Sequence, residues 1–393
     1  MRFSTIMIDK LRRYIENLRV YLTSTETRPP ATSVTANTLS DDIMTDGLID
    51  NPEALQSNYI PPNFTDREKE QTALTETFLN TADATLGNLH IQGQRGSGKT
   101  HLTRKALSQL PDGVNTSYIP CTQHNTQYKA LKQLYSAISG EEIESGHHTS
   151  ELQRRIQKQT THVPTVVVLD DIEFLFLNAG NDLLYYLSRL GENISVITTS
   201  SERTDLYSKL EERTYSSLQP QSMVLEPYEP KQVYRILADR ARAALKPQSL
   251  HRDVLIYISS RTRNISLGLQ WLQAGAEKAT NSITTETIEK VQSTARRRYV
   301  DNLLRDFTPH HELLFQALVE LTTENEHETT VQTGAVYERY EDLCNAYSEK
   351  SLSDRRISDF ITHLERLNLI ESDYHYGGRK GKTREIQLTV LPG

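Results

Sequence analysis

The sequence predicts a parallel α/β domain, then a small all-helical domain, then a C-terminal module of helices closed by a hairpin. Three observations carry this. Between Leu55 and Pro227, short β-branched runs alternate with helical stretches, the pattern of a parallel sheet covered by helices. From Lys231 to about Arg298 the strands vanish and helical runs follow one another. After Phe307, helical stretches give way to "LIESDYHYGGRKGKTREIQLTV", two β-runs around a Gly-rich basic turn. The boundaries drawn are 1–50 for an N-terminal helix and linker, 51–228, 229–304 and 305–393.

A chain of 393 residues can bury two or three cores. Residues 1 to about 27 alternate charged and apolar residues at helical spacing, and "TSTETRPPATSVTANTLSDD" follows as a flexible linker. No apolar run approaches a membrane span, and the N-terminus lacks the apolar core of a signal peptide. With two cysteines, Cys121 and Cys344, and no disulfide framework, these features predict a cytoplasmic protein without a membrane partner. The net charge of −7 excludes a protein basic all over. It leaves DNA binding open, because phosphate affinity depends on local clusters.

The predicted strands are "NLHIQG", "NTSYIP", "PTVVVLDD", "NISVITTS" and "SMVLEP". Their third member is apolar without alternation, as a strand buried on both faces should be. Between the first strand and the helix "KTHLTRKALSQL" lies "GQRGSGKT", Gly93 to Thr100, at the spacing G-x-x-x-x-G-K-[ST]. Glycines let backbone N–H groups approach anionic oxygens, and the helix N-terminus adds partial positive charge. Lys99 is placed to reach β- and γ-phosphates, and the Thr100 hydroxyl to ligate Mg²⁺. About 70 residues on, "VVVLDD" ends in an acidic pair whose burial is costly unless a metal or donor waits there. Asp170 is the expected Mg²⁺-side carboxylate, and Asp171 the group that orients attacking water. No third glycine follows "GSG" at dinucleotide-fold spacing, which argues against that fold.

Near the C-terminus, Ile357, Phe360, Ile361, Leu364 and Leu367 form one stripe on a helix capped by Ser353. Arg355, Arg356, Ser358, Thr362 and His363 fall off the stripe, where a recognition helix presents its groove-facing residues. The following turn carries Arg379, Lys380, Lys382 and Arg384. This local sign reversal in an acidic chain suits a phosphate backbone or a minor groove. His147–His148 and His310–His311 lack partners at ligand spacing, Arg296–Arg298 suit a helix C-terminus, and Trp271 falls on a core stripe.

On these residues the chain resembles AAA+ ATPases, and more narrowly the archaeal origin-recognition initiators related to the eukaryotic origin-recognition and cell-division-cycle loaders. The resemblance runs from about Asn51 to Leu388. It implies an AAA+ domain with a helical lid and a C-terminal winged helix. It implies ATP or ADP with Mg²⁺ as cofactors, double-stranded origin DNA and a replicative helicase as partners, and self-association on DNA. "LQSNYIPPNFTDREKEQTAL" is similar to the family's leading segment and nominates Tyr59, Ile60 and Arg67 at the adenine. The nucleotide set continues through Gly93, Gln94, Arg95, Gly96, Ser97, Gly98, Lys99, Thr100, His101 and Leu102. "LEERTYSSLQPQSMVLEPYEPKQVYRILADRA" resembles the family's sheet-to-lid block, making Arg213 an arginine finger and placing Tyr228 and Arg240 by the nucleotide. "GEEIESGHHTSEL" falls where initiators insert a DNA-touching helix.

Departures accompany the likeness. Asp171 stands where the family carries Glu, one methylene short, and a misplacement of about 1 Å can cost roughly a hundredfold in rate. In "ITTSSE", Ser200 or a neighbour takes the usual first-sensor Asn position, and Ser266 the usual second-sensor Arg position, with Arg263 close by. Nucleotide binding with slow hydrolysis is the expectation. Two other readings fit the same residues: a DNA-binding transcription or plasmid-maintenance regulator, and a signalling-type P-loop ATPase with a winged helix.

Overall fold

The computed structural model describes residues 47–62, 66–79, 87–143, 146–178, 180–201, 205–324, 330–378 and 381–389. The expected N-terminal helix and linker, up to residue 46, lie outside them. Two compact units emerge. One comprises Asn51–Ala244 with Leu255–Leu269; the other comprises Leu245–Val254 and Gln270–Gly393 with the described residues before Asn51.

The first unit opens with a 3-10 turn, Pro52–Leu55, and helix α1 (Glu68–Leu79). Then follow β1 (Leu89–Gly93), α2 (Lys99–Ser108), β2 (Asn115–Pro120), α3 (Gln127–Ser139) and α4 (Thr149–Thr160). Next come β3 (Thr165–Asp170), α5 (Glu173–Phe176), α6 (Gly180–Ser188) and β4 (Ile194–Ser200). The unit continues with α7 (Leu206–Lys209), α8 (Glu212–Leu218), β5 (Gln221–Leu225) and α9 (Pro230–Ala244). α10 (Arg252–Arg261) and α11 (Ile265–Lys278) contribute residues to both units.

Every pairing in the five-stranded sheet is parallel, in the order β2-β3-β4-β1-β5. Placing β1 between β4 and β5 brings the glycine loop beside the end of β3 only one strand away. β3 and β4 are buried at every residue, which is why their sequences run apolar or hydroxylic without alternation. Leu74, Leu89, Ile91, Leu102, Ala106, Val166, Val168, Ile197 and Leu225 form the core beneath the loop. Burying Leu102 fully anchors the first turn of α2 and so fixes the direction of its N-terminus.

In the second unit, α12 (Thr285–Leu304) starts at Thr284, whose hydroxyl accepts from the Thr287 N–H at 3.2 Å. α13 (Pro309–Glu324), β6 (Thr330–Gln332), α14 (Thr333–Ala346), α15 (Asp354–Arg366), β7 (Ile370–Gly378) and β8 (Gly381–Leu388) follow. The three strands form an antiparallel sheet in the order β6-β8-β7. Its core joins Leu314, Leu318 and Val319 of α13 to Val336 and Tyr340 of α14 and Ile357, Ile361 and Leu364 of α15. The predicted α15 stripe is therefore buried, except that Phe360 is half-buried and stacks on His311. Ser353 occupies the N-cap position, yet its side chain makes no capping hydrogen bond, contrary to expectation. Trp271, Cys121 and Cys344 are buried, as a packing role requires. Among the described residues, no helix is long and apolar enough to cross a membrane.

Candidate nucleotide site and nucleic-acid interface

The loop leaves β1 at Gly93, and α2 begins immediately after Gly98. Gly96 and Gly98 adopt φ of 86° and 95°, the left-handed region that other residues enter only at a cost. A Cβ on Gly93 would lie 2.6 Å from the Leu225 carbonyl oxygen, and one on Gly98 would lie 2.5 Å from the Tyr228 hydroxyl. Gly98 is also the N-cap of α2 and supplies no side-chain acceptor, so the helix's first N–H groups gain no cap from it. Ser97 Oγ is buried without a hydrogen-bond partner among the described residues. A glycine loop with an orphan hydroxyl beside a helix N-terminus fits an anion.

Lys99 is buried and donates to the Gly93 and Gln94 carbonyls at 2.7 and 3.1 Å. Burial lowers its pKa, with the Asp171 charge opposing. Facing it, Asp170 accepts three hydroxyl donors: Thr100 at 2.7 Å, Tyr118 at 2.5 Å and Thr199 at 2.5 Å. Burial raises the Asp170 pKa and the neighbouring Asp171 charge adds to this, while the three hydroxyls oppose it. Asp171 sits at φ 53°. Its N–H donates to Thr199 Oγ1 at 3.0 Å, and its carboxylate meets Arg95 Nη2 at 3.3 Å.

The structure thus brings together the glycine loop, Lys99, Thr100, Asp170 and Asp171. It adds Tyr118 and Glu173, which sequence reasoning missed, and brings Thr199, a neighbour of Ser200, to the acidic pair. Thr199 faces the acidic pair in place of Ser200, which points to the other face of β4 and meets His90 Nε2 at 3.1 Å. Strand alternation was the available signal: one residue's shift along β4 reverses the face. Tyr118 reaches Asp170 from β2, with the Arg104 guanidinium 4.3 Å from its ring centroid. Glu173 is buried two residues after Asp171 and accepts the Ser201 N–H at 3.1 Å. Burial pushes its pKa up to about 7, and the Asp171 charge reinforces the shift.

The flanking predictions divide. Arg67 is buried, donating to the Ser97 carbonyl at 3.2 Å and the Glu226 carbonyl at 2.5 Å, with Tyr228 beneath its guanidinium. It fastens the loop to the end of β5. Arg240 turns to the leading segment and donates to the carbonyls of Ala54, Gln56 and Tyr59. Burial lowers its pKa to about 10. The Tyr59 carbonyl also meets His101 Nε2 at 3.1 Å, and burial lowers the His101 pKa to about 4. Ile60 is half-buried and Gln94 exposed. Arg213 is exposed and meets Glu211, Asp182 and the Tyr185 ring, none of which belongs to the loop. Asn264, just before α11, lies against Gly96, where an added Cβ would meet its side-chain oxygen at 2.6 Å.

In the second unit Arg355 and Arg356 are exposed at the start of α15. Ser358 and Thr362 are half-buried, and the Thr362 hydroxyl donates back to the Ser358 carbonyl at 3.1 Å. The β7–β8 register pairs Gly378 with Gly381; Arg379 and Lys380 lie outside the described residues, as does the side chain of Lys382. Two expectations fail. Arg384 is buried and paired with Glu365 at 3.0 Å, donating also to Ser372 at 2.9 Å. It braces β8 to β7 and α15, because strand alternation turns it inward. His363 turns in to meet His311 at 2.9 Å rather than facing a groove.

Residues 63–198 match the AAA ATPase domain, and residues 302–393 match the CDC6 C-terminal winged helix domain. In both segments the chain is similar to AAA proteins of the ORC1/CDC6 type. It is 29 % identical to the ORC1-type DNA replication protein 1 of Sulfurisphaera tokodaii, covering 86 % of this chain and 90 % of that relative. It is 28 % identical to the ORC1-type DNA replication protein of Thermococcus kodakarensis, covering 88 % and 89 %. Among solved structures it is similar to the Aeropyrum pernix ORC1 protein in complex with DNA. That likeness has a TM-score of 0.65 and 26 % identity over 87 % of this chain and 94 % of that one.

Proposed function

We propose that this protein initiates DNA replication as a nucleotide switch in the cytoplasm. It binds ATP or ADP with Mg²⁺ in the glycine loop, grips double-stranded origin DNA through its winged helix, and helps recruit or load the replicative helicase. The observation that carries this reading is the Thr100–Asp170 pair set against the glycine cradle, in a chain whose last residues match the CDC6 winged helix. Mg²⁺ accepts one or two protein ligands beside phosphate oxygens, and the Thr100 hydroxyl and Asp170 carboxylate supply that set. The metal would neutralise phosphate charge there; Lys99 would bind the β- and γ-phosphates, and Asp171 would orient water.

Hydrolysis is slow in this reading, because Asp171 has the shorter side chain and is engaged by Arg95. Arg213, exposed on α8, is free of the loop and suits the nucleotide of a neighbouring copy on DNA. Arg355, Arg356, Arg379, Lys380 and Lys382 would hold phosphates, with Ser358 and Thr362 along the helix, so affinity should fall steeply with salt. Footprinting over chromosomal DNA around the chain's own coding locus, with and without ATP, tests the proposal. Protection of an AT-rich repeat is expected; protection of promoters alone would overturn it in favour of regulation.

A further inference from the structure

Arg95 occupies a position of "GQRGSGKT" at which the phosphate-loop spacing prescribes no residue type. A second cation beside Lys99 is costly unless a partner takes its charge. The two cations are handled differently. Lys99 is buried, with its ammonium on the Gly93 and Gln94 carbonyls, the residues immediately before Arg95. Arg95 stands at the rim, one-fifth exposed, with Nη2 3.3 Å from Asp171 Oδ2. The backbone of Asp171 is held: Thr199 takes its N–H at 3.0 Å, and its carbonyl accepts the Phe174 N–H at 3.2 Å. With that backbone held, the longer reach of the pair belongs to the arginine, whose side chain leaves the glycine loop.

We propose that Arg95 senses the terminal phosphate: its guanidinium exchanges between the Asp171 carboxylate and the γ-phosphate of ATP. This rests on the nucleotide reading given above. A guanidinium fork suits a carboxylate or a phosphate equally in shape. The γ-phosphate would carry the greater negative charge, and Lys99, the expected ligand of that phosphate, lies in the same loop. With ADP the Arg95–Asp171 pair persists and keeps the second acid engaged. With ATP the pair opens, and Asp171 becomes available to orient water only when there is a bond to cleave. Arg95 is thus both the residue that distinguishes ATP from ADP and the restraint on Asp171.

Equilibrium binding of fluorescent ATP and ADP analogues with Mg²⁺, measured on the full chain, tests this. Arg95→Gln should weaken ATP roughly tenfold, the worth of one charge-assisted hydrogen bond, and barely change ADP. Asp171→Asn, which removes the competing carboxylate, should tighten ATP severalfold and leave ADP nearly unchanged. Arg95→Lys, which keeps the charge but loses the fork, should fall between wild type and Arg95→Gln. Equal changes for both nucleotides in Arg95→Gln, or none for either, overturn the inference while leaving the nucleotide site in place. A wild-type chain that binds neither nucleotide overturns the site itself, and this inference with it. Lys99→Ala, run in parallel, should lose both nucleotides together.

Discussion

Thr199→Val is the sharpest test of how the acidic pair is held. Thr199 is fully buried, and its hydroxyl does two things: it donates to Asp170 Oδ1 at 2.5 Å and accepts the Asp171 N–H at 3.0 Å. Valine keeps the volume and removes only the hydroxyl, so no cavity is created. A hydrogen bond to a charged group contributes about 1.5–3 kcal/mol, and a buried N–H left unpaired costs about 1–3 kcal/mol. Asp170 keeps its bonds from Thr100 and Tyr118, which holds the sum to about 3 kcal/mol. For a unit of this size each kcal/mol moves Tm by about 2–4 °C, so a fall of roughly 6–12 °C is expected. Thermal unfolding in EDTA, with hydrogen exchange of the β3 and β4 amides, reads it without nucleotide or metal. Thr199→Ser, which keeps the hydroxyl, should recover most of the loss. A Thr199→Val protein within about 0.5 kcal/mol of wild type would refute the assignment.

Three further outcomes are expected. Gly98→Ala places a Cβ 2.5 Å from the Tyr228 hydroxyl at φ 95°; it should destabilise the first unit by about 1–3 kcal/mol and weaken nucleotide, checked by unfolding and titration. Arg240→Met leaves the Ala54 carbonyl unpaired and releases the leading segment, a loss of about 2–4 kcal/mol that should appear as faster exchange over residues 51–60. In the second unit, His311 is buried among His363, Thr308, Phe307 and Phe360. Burial and the His363 ring hold its pKa down at about 3, and burial lowers that of His363 too. The unfolded chain takes up these protons near pH 6.5, so it binds more protons in that window. Stability of this unit should therefore fall as pH drops from about 6.5 towards 3, by at most about 1.4 kcal/mol per pH unit for His311. His311→Gln should flatten that slope in acid titrations followed by circular dichroism.

The sequence by itself determined the parallel sheet, the glycine loop with Lys99 and Thr100, the acidic end of β3, and the stripe of α15. Each is written in local periodicity or fixed spacing: β3 is apolar without a break, the loop keeps its glycines, and Ile357, Ile361 and Leu364 recur at helical intervals. Local pattern also gave the family resemblance, because the motifs that carry it are contiguous.

Only the tertiary structure decided which side chains meet across strands. The order β2-β3-β4-β1-β5 brings Tyr118 of β2 and Thr199 of β4 to one carboxylate on β3, and no spacing within a single segment encodes that meeting. The same holds for Arg384, read from its neighbours as a charge on the turn yet directed inward to Glu365, and for Arg240, directed to three carbonyls far before it in the chain. Charge and motif identify which groups are present. Register and strand order fix their partners, because a buried charge must find its counterpart wherever the fold places one.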